Sequence, residues 1–368
     1  MKVDNLIKQR LLAKAARTRL PVMGTFELTP RCNLQCKMCY VRLTEAEMRP
    51  LGRELSAKQW LSLAREAVDA GMVFLLLTGG EPLLRQDFCE IYEGLAAMGI
   101  SVSINTNAVL LRGTVRELMK KYPPAHVNIT LYGTSRETYG ALCGNPDAYD
   151  SVMDALHWLK GNDILVNLNA TLTPQNKEDW AAIKAFAERE QLNFRPTMYA
   201  FPPARRSNAT AFTRLSPQEV GAMLAQNELA RHGCAGLDAW LASLDSSPLA
   251  DDRILAEGEP MRCYAGRSQF WVTWNGEMTA CGMLDTPKAD PFGQGFVPAW
   301  KALREAVSPI RLCADCAVCP HRKLCSTCAA VTYAETGRFD GKPEYMCRMV
   351  DAFIDELRAA SAALEKQP

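Results

Sequence analysis

Short apolar runs and amphipathic stretches alternate over the first two hundred residues. Residues 24–28 are apolar and read as a buried strand. Ser56 with Gln59 three residues on forms a capping box, which opens a helix ending near Gly71. Further strands follow at 73–77, 101–105, 126–131, 164–172 and 193–198. Helices are expected between them at 87–99, 115–121 and 149–160, and after Asn176 and Asp179, with 144–146 in a loop. The strands are rich in Val, Ile and Leu, as strands buried on both faces should be. Six βα units in alternation predict a parallel sheet with right-handed crossovers, too few for a closed eightfold barrel. A curved, partly open (β/α)6 barrel fits. In such barrels the chemistry lies at the C-terminal strand ends.

Beyond residue 200 the pattern changes. Residues 201–206 read as a loop. Ser216-Pro217-Gln218-Glu219 combines an N-cap, Pro at N1 and Glu at N3, a strong helix start. A second helix is expected at 237–244, and 245–260, acidic and punctuated by Pro and Gly, reads as a linker. Asn275-Gly276 suits a type I′ turn, so 269–280 is expected to form a β-hairpin. A cysteine-dense region and a closing helix from about Met349 complete the chain. At the other end, Leu6, Ile7, Leu11, Leu12 and Ala15 fall on one helical face, so the basic first twenty residues read as a lead-in helix rather than a transit peptide. The expected organisation is therefore a lead-in helix (1–23), a partial barrel (24–200), a helical linker (201–260), a small cysteine-rich domain (261–347) and a C-terminal helix (348–368).

Charge adds only exclusions. The 368 residues carry a net charge of +1, so no strong field favours nucleic acid or an anionic membrane. No apolar run approaches the ~18 residues of a membrane span. Cysteine usage says more. Eleven of the fourteen cysteines fall in two short-spaced regions, which without a signal peptide read as metal ligands in a reducing, cytoplasmic compartment. Cys89, Cys143 and Cys234 are left over.

The first region is Thr29-Pro30-Arg31-Cys32-Asn33-Leu34-Gln35-Cys36-Lys37-Met38-Cys39-Tyr40. Pro30 ends the first strand's ladder, so Cys32, Cys36 and Cys39 lie on a loop at its C-terminal end. Three thiolates on one loop are soft ligands, suited to zinc or an iron–sulfur cluster. A structural zinc site needs a fourth Cys or His, and none of the four histidines lies near. A four-iron cubane with three protein ligands keeps one iron open for a small molecule. Cx3Cx2C followed by an aromatic, here Tyr40, resembles the radical S-adenosylmethionine (radical SAM) superfamily. The resemblance implies a [4Fe–4S] cluster on these three cysteines, with the open iron chelating the amino and carboxylate groups of SAM.

Thr78-Gly79-Gly80-Glu81-Pro82 follows the second strand. Glycines let backbone approach a ligand closely, and a carboxylate accepts hydrogen bonds from an ammonium group. By the same resemblance Gly79, Gly80 and Glu81 bind the SAM amino group. Asn107 and Thr130, after the third and fourth strands, are implied polar contacts to SAM, and Leu172, at the end of the fifth, an adenine shelf. For the SAM carboxylate, which many relatives hold with a basic residue after the fourth strand, the candidates are Arg136 or a residue from elsewhere, and neither aligns cleanly. Cys143 falls beyond that strand too, on the catalytic face, where a thiol can donate a hydrogen atom or touch substrate.

The second region runs Cys263, Gly276-x4-Cys281, Cys313, Cys316-x2-Cys319-x5-Cys325-x2-Cys328 and Cys347. It resembles the SPASM domain, which carries two auxiliary [4Fe–4S] clusters, although Cys325 and Cys328 are one residue closer than in the familiar form and Cys313 is extra. Cx2C pairs also suit a double zinc ribbon. The resemblance gives Cys263, Cys281 and Cys328 to the nearer cluster; Cys313, outside the familiar pattern, is the candidate for its fourth thiol. It gives Cys316, Cys319, Cys325 and Cys347 to the farther one.

Together these imply a radical SAM/SPASM enzyme with three [4Fe–4S] clusters. It would take electrons from a low-potential donor such as flavodoxin or ferredoxin and cleave SAM to a 5′-deoxyadenosyl radical. SPASM relatives mostly modify peptides, so the expected substrate is a ribosomally made peptide, undergoing crosslinking, thioether formation or epimerisation. Oxidation of a small molecule such as a porphyrin side chain or sugar is the alternative. A non-enzymatic electron carrier is the third, and would not need Gly79-Gly80-Glu81. Thirty-one residues precede Cys32, too few for the winged-helix leader-binding domain of many peptide maturases.

Overall fold

The computed structural model describes residues 2–203, 212–245 and 259–364. These fall into two compact units. The first is built from residues up to Thr197 together with Cys263–Ser308, and the second from 198–202, 213–262 and the chain from Pro309 onward.

The first unit is an unclosed, partial α/β barrel. Strands β1 (Met23–Glu27), β2 (Phe74–Thr78), β3 (Ser101–Thr106), β4 (His126–Thr130), β5 (Val166–Thr171) and β6 (Asn193–Thr197) pair in parallel in sequence order. The hairpin expected at 269–280 is present, but its first strand, β7 (Gln269–Val272), pairs in parallel with β1. It thus adds a seventh parallel strand to the barrel sheet, followed by antiparallel β8 (Met278–Thr279) and β9 (Lys288–Ala289). Gly24 permits this approach: a Cβ there would lie 2.7 Å from the Phe270 ring.

One face of the sheet is apolar. Phe26 is fully buried and packs 4.8 Å from the ring of Trp60, which projects from the helix Ala57–Asp69. That helix opens with the expected Ser56–Gln59 capping box. The opposite face of β3–β6 is polar, which corrects the reading of strands apolar on both sides. Asn193 donates to Asn167 (2.6 Å), Asn167 to Asn128 (2.8 Å) and Asn128 to Asn105 (2.6 Å), an amide ladder across four strands in register.

Three local expectations change. Residues 136–143, for which no element was expected, form the helix Arg136–Cys143, capped by Ser135 and ended by Gly144 in the left-handed region (φ 73°). Asn176 does not cap a helix; a short 3-10 turn (Lys177–Asp179) leads into the helix Trp180–Arg189. In the lead-in helix Lys2–Thr18, Leu12 and Ala15 pack with Val22, whereas Leu6 and Ile7 are 48% and 60% exposed, so the apolar stripe is shorter than the sequence suggests.

His126 lies on the polar face, its Nδ1 3.2 Å from Ser103 Oγ. Burial, with the Lys8 and Arg195 charges nearby, pushes its pKa down to about 4 from 6.5. Between pH 6.5 and 4 the unfolded chain holds this proton and the folded chain does not. The His126 contribution to stability is therefore full above pH 6.5 and is lost as pH falls through 4. We expect His126→Gln to flatten the acid slope of the melting temperature over that window; an unchanged slope would remove the assignment.

In the second unit, Pro217–Asp245 is one helix of 29 residues where the pattern suggested two, opened by the expected Ser216–Glu219 box. It packs on the helix Glu344–Leu364 at Gly221, where a Cβ would meet Met349 O at 2.7 Å. The acidic linker lies almost wholly outside the described residues, as does the loop beyond Pro203. No helix among the described residues is long and apolar enough to cross a membrane.

Candidate active site

The cysteine loop begins where β1 ends. Leu28 N–H still bonds to Thr78 O (2.8 Å), and Arg85, buried, donates to Leu28 O and Leu55 O (both 2.8 Å) while gripping the Asp87 carboxylate. Arg31 forks onto Glu54 at 2.7 and 2.8 Å. The loop thus enters the cysteines from a fixed base.

Within it, N–H groups aim at sulfur. Leu34 N–H reaches Cys32 Sγ (3.4 Å), Arg42 N–H reaches Cys39 Sγ (3.3 Å) and the Asn107 amide reaches Cys32 Sγ (3.6 Å). Donors to sulfur are the surroundings an iron–sulfur ligand needs. Burial, the Glu81 carboxylate and the neighbouring Cys36 and Cys39 push the Cys32 thiol up. Among the described residues no three His, Cys, Asp or Glu side chains converge on one metal-ion position. Tyr40 follows, half-buried.

The Gly79-Gly80 turn lies on this loop. Gly80 N–H bonds to Thr29 O (2.7 Å) and Glu81 N–H to Arg31 O (2.8 Å). A Cβ at Gly79 would meet Thr29 O at 2.4 Å, and one at Gly80 would meet Arg31 O at 2.3 Å. The glycines are therefore required by backbone contact with the cysteine loop itself, which their sequence did not reveal. Glu81 is fully buried and accepts from Leu83 N–H (3.0 Å), Thr106 Oγ1 (2.7 Å) and Asn107 N–H (2.7 Å). Burial raises its pKa to about 7 against those three donors. Its carboxylate thus ties the end of β2 to the end of β3, a scaffold role beyond the one expected.

Asn107 also bonds to Asn33 Oδ1 (2.8 Å), so it reaches the cysteine loop directly. Thr130 ends β4, partly exposed and level with Asn169 of β5. Three expectations are corrected. Leu172 is fully buried, its N–H on Thr197 O (2.8 Å), and offers no shelf to a ligand. Arg136 is committed to Asp147 and Asp150 on the surface. Cys143 is 1% exposed at the C-terminal end of its helix, so it does not face substrate.

Sequence reasoning missed Tyr132, Asn176 and Glu27. Tyr132 is buried beside the cysteine loop, its ring edge-on to Tyr139 at 5.6 Å, and burial with the nearby Cys36, Cys143 and Cys32 pushes its phenol up. Asn176 Nδ2 holds the carbonyls of Tyr132 (2.9 Å) and Thr171 (3.0 Å), pinning the ends of β4 and β5. Glu27, 1% exposed at the end of β1, accepts from Trp271 Nε1 (2.9 Å) on β7. Each pairing is long-range, and no local spacing signals it.

In the second unit Cys316, Cys319, Cys325 and Cys347 line one cavity of about 60 Å3. Arg322 braces it, donating to Cys325 O (2.7 Å) and bonding the buried Glu259 carboxylate at 2.6 and 3.0 Å. Burial and the neighbouring Cys313 push the Cys316 thiol up. Cys328 stands at the N-cap position of the helix Ala329–Thr336. Cys263, exposed, and Cys281, partly buried, belong to the first unit.

Strand-end cysteines stapled to a Gly-Gly-Glu turn on a partial barrel are the arrangement a radical SAM domain uses. The Radical SAM superfamily family matches residues 26–187, and this segment is a radical SAM domain. The chain thus contains a radical SAM domain, which implies a [4Fe–4S] cluster and SAM. It is 24% identical over 339 residues to the AdoMet-dependent heme synthase of Methanosarcina barkeri, covering 88% of this chain and 95% of that protein. It is 31% identical over 170 residues to the PqqA peptide cyclase of Rhizobium meliloti, 45% of this chain and 44% of that one. Its fold matches the crystal structure of Streptococcus suis SuiB bound to precursor peptide SuiA, with a TM-score of 0.66, 17% identity and coverage of 94% and 81%.

Proposed function

We propose that this enzyme cleaves SAM reductively at the Cys32–Cys36–Cys39 loop and abstracts hydrogen from a peptide. The observation that carries the first part is the set of hydrogen bonds joining that loop to Gly80, Glu81 and Asn107. It sets the ligand loop against the turns implied to bind SAM. A [4Fe–4S] cluster with SAM supplies a 5′-deoxyadenosyl radical when bound there. The chain's own residues do the rest. Gly79, Gly80 and Glu81 hold the SAM amino end, Asn107 and Thr130 provide polar contacts, and the burial of Glu81 keeps water from that corner.

A peptide is favoured because the amide ladder on β3–β6 makes a hydrogen-bonding wall, suited to a chain of amides. The likeness to a peptide cyclase over the barrel agrees. A porphyrin side chain is the second reading, favoured by the heme synthase, which this chain matches over nearly its full length. In the second unit, Cys316, Cys319, Cys325 and Cys347 would hold one auxiliary SPASM-type cluster, as their shared cavity suggests. Cys263, Cys281 and Cys328 are proposed for another, with Cys313 as its remaining thiol. A cytoplasmic flavodoxin or ferredoxin would supply electrons.

The test is anaerobic reconstitution followed by incubation with dithionite and SAM. About twelve irons and formation of 5′-deoxyadenosine are expected. Stoichiometric zinc with little iron would remove the reading. Candidate peptides from neighbouring reading frames and iron coproporphyrin III are then compared as substrates. Loss of hydrogens from a peptide supports the first reading, and loss of carbon dioxide plus hydrogens from the porphyrin supports the second.

A further inference from the structure

The parallel strands β1–β6 hold a single Lys or Arg between them, Arg195 on β6, and a single Asp or Glu, Glu27 on β1. Glu27 lies at the other end of that run of strands and is taken up by Trp271 Nε1. Arg195 shares a face with the amide ladder. On one side of β6 the Phe194 ring packs 5.8 Å from Trp180 of the helix Trp180–Arg189. Asn193 takes the other side, where it bonds Asn167 (2.6 Å), and Arg195, two residues on, takes the same side. Register then sets a row: Thr130 stands level with Asn169, and Asn169 with Arg195. The row lies one step nearer the C-terminal strand ends than the ladder itself.

The two rows differ in how their polar groups are satisfied. In the ladder each amide bonds the next. Among the described residues, the side chains of Thr130, Asn169 and Arg195 make no hydrogen bond and Arg195 no ion pair. Thr130 and Asn169 are partly buried, and Arg195 is exposed. The inner row is therefore structural, and the outer row keeps its donors for something else.

Charge indicates what that is. A guanidinium presents a planar fork of N–H donors that fits a carboxylate, and Asn169 adds an amide N–H. The face is positive elsewhere too. Leu77 is level with Phe26 on the apolar face, so Phe74, three residues away, is on the polar one. The Lys8 ammonium lies 4.5 Å from the centre of the Phe74 ring. Burial, and then the Arg195 charge, pull Lys8 below its ordinary pKa.

We infer that Arg195 and Asn169 form a subsite for a carboxylate of the substrate. An acidic group of a peptide and a propionate of a porphyrin both supply one. Thr130 is assigned above to SAM, and neighbouring strands are about 4.8 Å apart, so a substrate anchored at Arg195 lies about 10 Å along the row from that contact. The inference rests on the reading that substrate lies against this face. A charge on an edge strand also guards against pairing between copies, but Pro196, with no N–H to offer, already blunts that edge.

The experiment uses reconstituted full-length enzyme with SAM. Dissociation constants are measured for iron coproporphyrin III against its tetramethyl ester. They are also measured for each peptide from the neighbouring reading frames against a neutral form, with Asp and Glu replaced by Asn and Gln and the C-terminus amidated. Wild type is expected to bind the acid form of one probe about ten- to a hundredfold more tightly than its neutral form, the range of a charge-assisted hydrogen bond. Which acid form is preferred tells the two sources apart. Arg195→Gln should remove the preference by weakening the acid form alone. Arg195→Lys keeps the charge without the fork and should fall between, and Asn169→Ala should lose a smaller part. Formation of 5′-deoxyadenosine is assayed separately. A wild type that makes none fails the reading of the cysteine loop, while the binding comparison still decides the subsite. Equal weakening of acid and neutral forms in Arg195→Gln, or binding of neither acid form by wild type, would overturn the inference. So would self-association of Arg195→Gln with its acid preference intact, which would mark Arg195 as an edge guard.

Discussion

Cys36→Ala is expected to reduce 5′-deoxyadenosine formation to background while the fold persists. The fold should persist because what fixes this part of the loop is backbone: Gln35 N–H and Lys37 N–H stay bonded to Cys143 O and Leu142 O whatever side chain stands between them. The chemistry should fail because a cluster with two protein ligands is not held in place to be reduced. Iron content should fall by about four from about twelve, leaving any auxiliary clusters in place. Cys32→Ala and Cys39→Ala should behave alike. Cys89→Ala, on the helix Phe88–Ala96 and outside both cysteine regions, should leave iron and turnover unchanged. The measurements are iron analysis, the SAM-sensitive EPR signal and 5′-deoxyadenosine by chromatography. Substantial SAM cleavage in Cys36→Ala would sink the assignment of the loop.

What the sequence made legible was local. The cysteine spacing, the glycine pair, the Ser56 box and the alternation of six strands with helices each depend on residues a few positions apart, and each appears in the structure. What stayed hidden depends on pairing across the chain. Asn176 carries an N-cap signal, yet its amide satisfies the carbonyls of two strand ends, because buried carbonyls at the barrel rim need a donor more than a short helix needs a cap. Residues 269–272 carry a hairpin signal that is correct in type, but nothing local says that β7 would also pair with β1. Glycines in a Gly-Gly-Glu turn suggest ligand approach, and the structure shows that the first thing approached is the Thr29–Arg31 backbone. Cys143 was expected on the catalytic face because the helix at 136–143 is weakly patterned and went unread, and tertiary contact with Gln35 and Lys37 completes it.

The buried pair in the second unit leads to a second large effect. Glu259 is 1% exposed and Arg322 8%, and they join through two hydrogen bonds at 2.6 and 3.0 Å. The remaining Arg322 donors hold Cys325 O (2.7 Å) and Thr327 O (3.3 Å), the backbone around one of the four cysteines that share a cavity. Removing one partner of such a pair leaves a charge buried without compensation, which costs about 3–5 kcal/mol. Glu259→Ala is therefore expected to lower the melting temperature of the second unit and to lose about four irons, because the cysteine loop loses its brace. Glu259→Leu combined with Arg322→Leu removes both charges and should recover much of the stability, since replacing a whole buried pair by apolar groups is often near neutral. It should not recover the iron, because no donor then reaches Cys325 O and Thr327 O. Differential scanning calorimetry with iron analysis separates the two contributions. If Glu259→Ala keeps its iron and melts with wild type, the brace is not what holds this cysteine loop. If the double variant regains both stability and iron, the charges matter but the hydrogen bonds to the loop carbonyls do not.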